Sequence, residues 1–379
     1  MNLIRTLIVD DSPTVRVSLR ELLEESGEFV VVGECSDGPT AVEQCGRLKP
    51  DLVTMDVQMS RGDGLSATRE IMRSLPTPIV VITEAGKGRE SQLAFEAMQA
   101  GAVDVIRKAD VGFGLARDRE ALRHRLHLMA GVKVVGRRGR CLDEPAPRRA
   151  ETPPAGPGLP APREIPAARE IPAAPASPSL LTPPGDRVSL IAIGASTGGP
   201  PAIAKVLSRL QPETAPPVLI VQHISSGFCS SFAEWLDGLL PLQIGLAVHG
   251  EPLLPGRVYI APNDQHLEVS AERKVRLHDA LPLRHHRPAA DLLFSSVARH
   301  LGDGAVGVLL TGMGEDGARG LLEMRSAGAL TVAQNQETSL VYGMPAAAAK
   351  LGAAERILAL DHITTLLSRC HLRSPGRVA

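Results

Sequence analysis

The chain has 379 residues, 22% of them charged, a net charge of −1 and only 2% aromatics. Such a length allows two or three domains, each with its own core, and the scarcity of aromatics makes those cores aliphatic. The balanced charge gives no overall attraction to nucleic acid or a membrane surface, and no uninterrupted apolar run reaches transmembrane length.

Residues 1–130 alternate short apolar strands with helical patterns, as in a doubly wound parallel sheet. Leu3 to Val9 predicts a strand and Ser12 to Ser26 an amphipathic helix with Val15, Leu19, Leu22 and Leu23 on one face. Phe29 to Cys35 predicts a second strand and Pro39 to Arg47 a second helix. Asp51 to Val57, Pro78 to Thr83 and Val103 to Ile106 predict three more strands. Polar residues stand at the C-terminal ends: Asp10 and Asp11 after the first, Asp56 at the third, Thr83 at the fourth and Lys108 after the fifth. In a parallel sheet these ends share one edge. Packed carboxylates repel unless a cation joins them, and Mg²⁺ prefers such hard oxygen ligands. Singly, each residue reads as a solvated loop residue or a cap. Their joint spacing predicts a pocket.

This stretch resembles a response-regulator receiver. The resemblance rests on Asp10-Asp11, Asp56 followed by Met59 and Gly62-Asp63-Gly64, Thr83, and Gly101 to Asp104 leading to Lys108. It implies that Asp56 accepts a phosphoryl group from a chemotaxis-type histidine kinase. It also implies Mg²⁺ bound by Asp11 and Asp56, with Asp10 acting through water and the carbonyl of Gln58 as a further ligand. Three positions depart from the family: Ser60 and Ala109 replace prolines, and Val105 replaces an aromatic switch residue. The acid pocket and its lysine are intact, so the departures bear on how a signal leaves the pocket.

Composition changes after Met129. Residues 131–187 carry a basic run, Arg137 to Arg149, and then proline and alanine, with Arg163-Glu-Ile-Pro-Ala-Ala168 repeated at Arg169 to Ala174. Too little apolar surface is present to fold, which predicts a mobile tether. The arginines have no interleaved aromatics, so they read as a solvated stretch rather than a nucleic-acid patch. Five cysteines are scattered along the chain with no C-x-x-C pair. They suit reduced thiols in a cytoplasm and supply neither a zinc site nor a disulfide framework.

From residue 188 to 372 the βα pattern resumes. Leu190 to Ile193 predicts a buried strand, followed by a sharp turn through Gly194, Gly198 and Gly199 and a helix opening on Pro200-Pro201. Gly194 to Gly198 spells G-x-S-x-G, a nucleophile-elbow pattern that would present Ser196. Ser196 as a plain N-cap and the glycine loop as a phosphate cradle are the competing readings. Pro217 to Gln222 predicts a strand ending at His223. Further predictions are a helix over Ser230 to Leu240, strands over Val258 to Ala261 and Val275 to Leu277, and a helix over Asp291 to Leu301. Ala305 to Leu310 predicts an apolar strand, Ala318 to Ala327 a helix and Leu330 to Gln334 a strand. Ser196, His223 and Asp316 each follow an apolar strand, so one sheet edge would gather a hydroxyl, a base and an acid. Glu315 competes for the acid role. His249, His266, His278, His285 and His286 are rival bases in more polar contexts.

This half resembles the catalytic domain of chemotaxis protein-glutamate methylesterases, through Gly194 to Gly199, Val221-Gln222-His223, Ile260 to Asp264 with His266, Arg287-Pro288 with Asp291 to Phe294, Leu310 to Gly314 with Asp316-Gly317, and Gln334 through Pro345. The resemblance implies a Ser196–His223–Asp316 triad and an oxyanion site at the Thr197 turn and the Met313 loop. The implied activity is a phosphorylation-activated hydrolase that removes methyl groups from glutamate γ-esters of methyl-accepting chemoreceptors, and deamidates receptor glutamines, with no cofactor for the ester chemistry. The expected fold is α/β throughout: a flavodoxin-like receiver, then a Rossmann-like parallel-sheet domain. A non-catalytic adaptor, a methylesterase of a non-motility chemosensory pathway and a nucleotide-binding regulator are the alternatives. The last rests on the glycine loop alone, which lacks a Lys-Ser/Thr ending.

Overall fold

The computed structural model describes residues 3–60, 63–83, 89–112, 116–132, 134, 188–225 and 227–372. Nearly all of the predicted tether therefore lies outside the described residues.

The first unit runs β1 (Ile4–Val9), α1 (Pro13–Glu24), β2 (Phe29–Cys35), α2 (Gly38–Leu48), β3 (Leu52–Met55), α3 (Gly64–Ser74), β4 (Ile79–Thr83), α4 (Arg89–Ala100), β5 (Asp104–Arg107), α5 (Ala109–Gly112) and α6 (Ala116–Ala130). Its five strands are parallel in the order β2-β1-β3-β4-β5, the flavodoxin-like arrangement expected. Helix starts follow local chemistry. Asp37 accepts the Thr40 amide at 2.9 Å and Asp63 accepts that of Ser66, each satisfying a donor that the first turn leaves free.

The second unit runs β6 (Leu190–Ala195), α7 (Gly199–Leu207), β7 (Val218–Gln222), α8 (Cys229–Leu239), β8 (Gln243–Leu246), β9 (Arg257–Ile260), β10 (His266–Val269), β11 (Val275–His278), α9 (Ala290–Leu301), β12 (Ala305–Leu309), α10 (Ala318–Ser326), β13 (Leu330–Gln334), α11 (Met344–Lys350), β14 (Arg356–Leu358) and α12 (Leu360–Leu367). Seven strands form one parallel sheet in the order β14-β13-β12-β6-β7-β9-β8. Strands β10 and β11 make a separate antiparallel hairpin. The central strands β6, β7 and β12 are buried throughout. That burial on both faces explains why they read as unbroken apolar runs. The three strands are adjacent, so their C-terminal ends share one stretch of the sheet edge.

The two units touch through aromatics, which are rare elsewhere in the chain. Phe95 of α4 is fully buried against Phe228, Phe232 and Trp235, at ring-centroid distances of 6.4, 5.6 and 5.4 Å. Burying one such ring contributes about 1.5–3 kcal/mol. Nearby, Arg125 of α6 pairs with Asp104 at 2.6 Å and reaches Ser225, two residues beyond His223, at 3.4 Å. Among the described residues, Cys35, Cys45, Cys229 and Cys370 are free thiols, all buried. No helix among the described residues is long and apolar enough to cross a membrane.

Candidate active site

Strand β6 delivers Ser196 into a turn that only small residues permit. Gly198 adopts φ 74°, and a β-carbon there would meet Leu340 at 2.7 Å. A β-carbon on Gly199 would fall 1.9 Å from Gln222 Oε1. The Ser196 amide donates to the Thr311 carbonyl at 3.1 Å, and the His223 amide donates to the Ala195 carbonyl at 2.9 Å. Register pairs Ala195 with Gln222, so Ser196 and His223 leave two neighbouring strands at the same level. The Gln222 side chain, buried to 3% exposure, ties the turns together. Its Nε2 donates to the carbonyls of both Ser196 and His223, at 2.8 Å each.

The acid comes from the loop between β12 and α10. This loop is fixed by Gln334, whose Oε1 accepts the Thr311 amide at 2.8 Å while its Nε2 donates to Thr338 O at 2.6 Å. The Thr311 hydroxyl donates to Thr197 O at 3.0 Å and accepts the Val341 amide at 2.9 Å. Asp316 is buried, with Oδ2 at 2.9 Å from His223 Nε2. It also accepts the amides of Ala290 at 2.6 Å and Asp291 at 3.0 Å, the open N-terminus of α9. Burial alone would raise its pKa; the His223 ring and the two amides outweigh it and hold the carboxyl below its ordinary value. Asp291 returns the favour to α10 by accepting the Gly320 amide at 2.8 Å. The α9 start is thus held by a carboxylate from the loop before α10, and the first turn of α10 by one from α9.

With Nε2 committed to Asp316, the free ring nitrogen of His223 is Nδ1, which is buried with no hydrogen-bond partner. A base that oriented by a carboxylate on one nitrogen can accept a proton on the other. Gly312 closes on Ser196 so tightly that a β-carbon there would lie 2.7 Å from Ser196 Cβ. Among the described residues the backbone amides of Thr197 and Met313 donate to no acceptor, so both remain available to an oxyanion. Glu315 is exposed and outside this network.

Of the rival histidines, only His286 reaches the site. Its ring stacks on His223, centroids 4.2 Å apart and 3° from parallel. His266 instead accepts the Ala289 amide at 3.2 Å, His249 bonds to Leu277, and His278 faces Glu268 at 3.5 Å. The sequence reading named Gln222, Gln334 and Asp291 only within motifs. Their work is to hold backbone, which spacing along the chain does not reveal.

A second constellation lies at the first sheet. A cavity of about 380 Å³ is lined by Asp11, Asp56, Gln58, Met59, Ser60, Thr83 and Lys108. Oxygens of Asp10, Asp11 and Asp56 lie within 4.8 Å of one another. Lys108 Nζ sits 2.6 Å from Asp56 and 2.9 Å from Asp10. Burial pushes Asp56 up to about 6 despite Lys108. For Lys108, burial opposes the charge, but bonds to Asp56 and Asp10 raise its pKa overall. Three crowded carboxylates facing one ammonium fit a small divalent cation with oxygen ligands. The Ser60 departure has a local use: its amide donates to Asp11 Oδ2 at 3.0 Å, a bond that proline could not make. Val105 is buried, and its carbonyl lies 3.4 Å from Arg125.

Comparison with known proteins separates the same two halves. Residues 191–367 match the CheB methylesterase family and residues 6–111 the response regulator receiver domain. A protein-glutamate methylesterase/protein-glutamine glutaminase of Myxococcus xanthus is 41% identical over 98% of this chain and 98% of its own length. One from Bdellovibrio bacteriovorus is 40% identical over 95% of each chain. The crystal structure of the Thermotoga maritima CheB methylesterase catalytic domain is 34% identical, covering 48% of this chain and 97% of that one, with a TM-score of 0.46. The response regulator domain of Thermotoga maritima CheB is 32% identical, covering 35% and 99%, with a TM-score of 0.31.

Proposed function

The chain belongs to the CheB methylesterase family with an N-terminal receiver domain, and from that premise we propose that Ser196, His223 and Asp316 hydrolyse glutamate γ-methyl esters of chemoreceptors. Residues 1–130 are the receiver, 131–187 the tether and 188–372 the catalytic domain. The observation that carries the reading is the buried His223–Asp316 pair at 2.9 Å, with Nδ1 left open beside the Ser196 turn.

In the first step Ser196 Oγ bonds to the ester carbonyl carbon as its proton passes to His223 Nδ1. Asp316 fixes the tautomer of the neutral imidazole and then stabilises the imidazolium. Amides of Thr197 and Met313 receive the oxyanion, each such donor contributing about 3 kcal/mol. Collapse expels methoxide, which takes the proton from His223 and leaves as methanol. Water, deprotonated by the same ring, then attacks the acyl-enzyme, releasing glutamate and restoring Ser196. With a glutamine substrate the leaving group is ammonia, which makes the same site a deamidase.

In the receiver, Asp56 accepts the phosphoryl group of a chemotaxis-type histidine kinase, and Lys108 and Thr83 contact the transferred group. Asp11, Asp56 and the Gln58 carbonyl, with Asp10 behind them, would hold Mg²⁺, which supplies charge neutralisation for the phosphoryl oxygens. The Phe95 cluster and the Arg125–Ser225 contact support a resting state in which the receiver covers the approach to Ser196. Phosphorylation then acts by weakening that contact. On this reading the protein acts in the cytoplasm, on the cytoplasmic helices of receptors.

The test is methanol release from methylated receptor, with and without a small phosphodonor and Mg²⁺. Release that rises with the phosphodonor supports both halves of the reading. Release without stimulation keeps the esterase and removes the coupling. No release from any receptor favours a silent adaptor.

A further inference from the structure

His286 is set against His223 by an unusual turn. Leu283 and His286 face each other, each amide donating to the other's carbonyl, at 3.0 and 2.9 Å. The two residues between them, Arg284 and His285, have φ of 48° and 72°. Two left-handed residues in succession are what a type I′ turn requires, and asparagine and glycine normally fill those places. Arginine and histidine carry β-carbons that resist this conformation. Such backbone persists only where its surroundings over-determine it, and it clusters at functional sites.

The surroundings here are specific. The Arg287 guanidinium donates to the carbonyls of Asp279 and Ala280 at 3.0 and 3.2 Å, closing the loop behind the turn. His266, buried below, bonds the Leu281 carbonyl at 3.3 Å and the Ala289 amide at 3.2 Å. The loop thus presents the His286 ring flat to His223. The titratable groups facing it are His223, Asp316 and His285; burial first, and then the nearby histidines, push its pKa down to about 4. A ring that stays neutral down to about pH 4 lies against His223 without adding a second charge.

On the reading of His223 as general base, we propose that His286 is a positioning residue, whose flat ring fixes the plane of the His223 imidazole so that Nδ1 meets Ser196. The hydrogen bond to Asp316 anchors one nitrogen only, and the ring could still rotate about that axis. A parallel neighbour at 4.2 Å removes this freedom.

The experiment compares full-length wild type with His286→Ala and His286→Phe. Methanol release is measured as kcat and KM from pH 5 to 9. Nitrogen NMR of the labelled His223 ring is recorded alongside, and circular dichroism checks the fold. His286→Ala should lower kcat roughly 10- to 100-fold, the range expected when a reacting group is misplaced, with KM within about twofold. Its His223 ring should keep the tautomer that Asp316 sets, while its nitrogen signals broaden as the ring loses its fixed plane. His286→Phe should restore most of kcat, and the acid limb of the pH profile should stay where it is in wild type. Arg284→Asn with His285→Gly, which suits the turn, should keep kcat and raise the melting temperature. A folded His286→Ala protein with wild-type kcat overturns the proposal. So does His286→Phe as inactive as His286→Ala, because the ring would then act chemically. If wild type itself releases no methanol, the esterase reading fails. The NMR comparison then decides the positioning role alone: His223 ring signals as sharp in His286→Ala as in wild type overturn it.

Discussion

Phe95 of the receiver lies stacked on Trp235 of the catalytic half, their rings 5.4 Å apart and 24° from parallel. The pair joins the two units, and Phe95 has no exposed surface. Truncating a buried phenylalanine typically costs about 3–5 kcal/mol, here drawn partly from the contact between the units. Phe95→Ala should therefore raise unstimulated methanol release several-fold and shrink the response to a phosphodonor. Basal release and stimulation both equal to wild type would remove the latch role from this contact.

Asp56 carries a pH signature. Its folded pKa is raised from 3.8 to about 6, chiefly by burial, which corresponds to roughly 3 kcal/mol of lost stability when the group is ionised. The sign is that of a raised carboxylate: stability is regained as pH falls from neutral through about 6. In chelator at pH 7.5, Asp56→Asn should melt higher than wild type, and the gap should narrow as pH falls below about 6 and close only below the ordinary value of 3.8. Added Mg²⁺ should narrow the gap by stabilising wild type. Thermal unfolding across pH checks this, and a variant no more stable than wild type at pH 7.5 would contradict it.

Gln222 bridges the turns of Ser196 and His223 with one side-chain nitrogen. Gln222→Ala removes both bonds: the Ser196 carbonyl keeps the Gly199 amide at 2.8 Å, but the His223 carbonyl loses its partner, at about 1–3 kcal/mol, and the two turns are freed to separate. The expected result is a folded, less stable protein with kcat down by roughly 10-fold or more. KM should be little changed. A variant that loses stability without losing kcat would leave Gln222 a purely structural role.

Ser196→Ala should reduce methanol release on the order of 10⁴-fold or more while melting like wild type, because the residue is half-buried and its side chain spans no packed interface. Turnover near the wild-type rate would end its assignment as nucleophile.

Much of this was legible in the chain because of where polar residues fall. Asp56, Thr83, Ser196 and His223 each interrupt or end an apolar run, and parallel strands carry such ends to one edge. Other elements gave no such signal. Strand β10 buries His266 and Glu268 beside Leu267 and Val269, so its alternation does not read as inside and outside. Helix α11 is mostly alanine and has too little contrast between faces for a periodic pattern. The boundary of α1 moved in from both ends, to Pro13 and Glu24. His286 was passed over as one more histidine in a polar stretch. The turn that aims it is built from arginine and histidine rather than glycine or asparagine, so the sequence carries no turn signal there.

The adjacency of β12, β6 and β7 also sets when this enzyme can first work. Strand β12 enters the chain long after β7, yet it inserts beside β6 and carries the loop that holds Asp316. Catalytic competence is therefore a report on the longest-range closure at the heart of the sheet, the kind of contact that forms slowly because a large loop must be ordered first. Turnover regained after dilution from denaturant clocks the arrival of β12, and the helices that form before it contribute nothing to that signal.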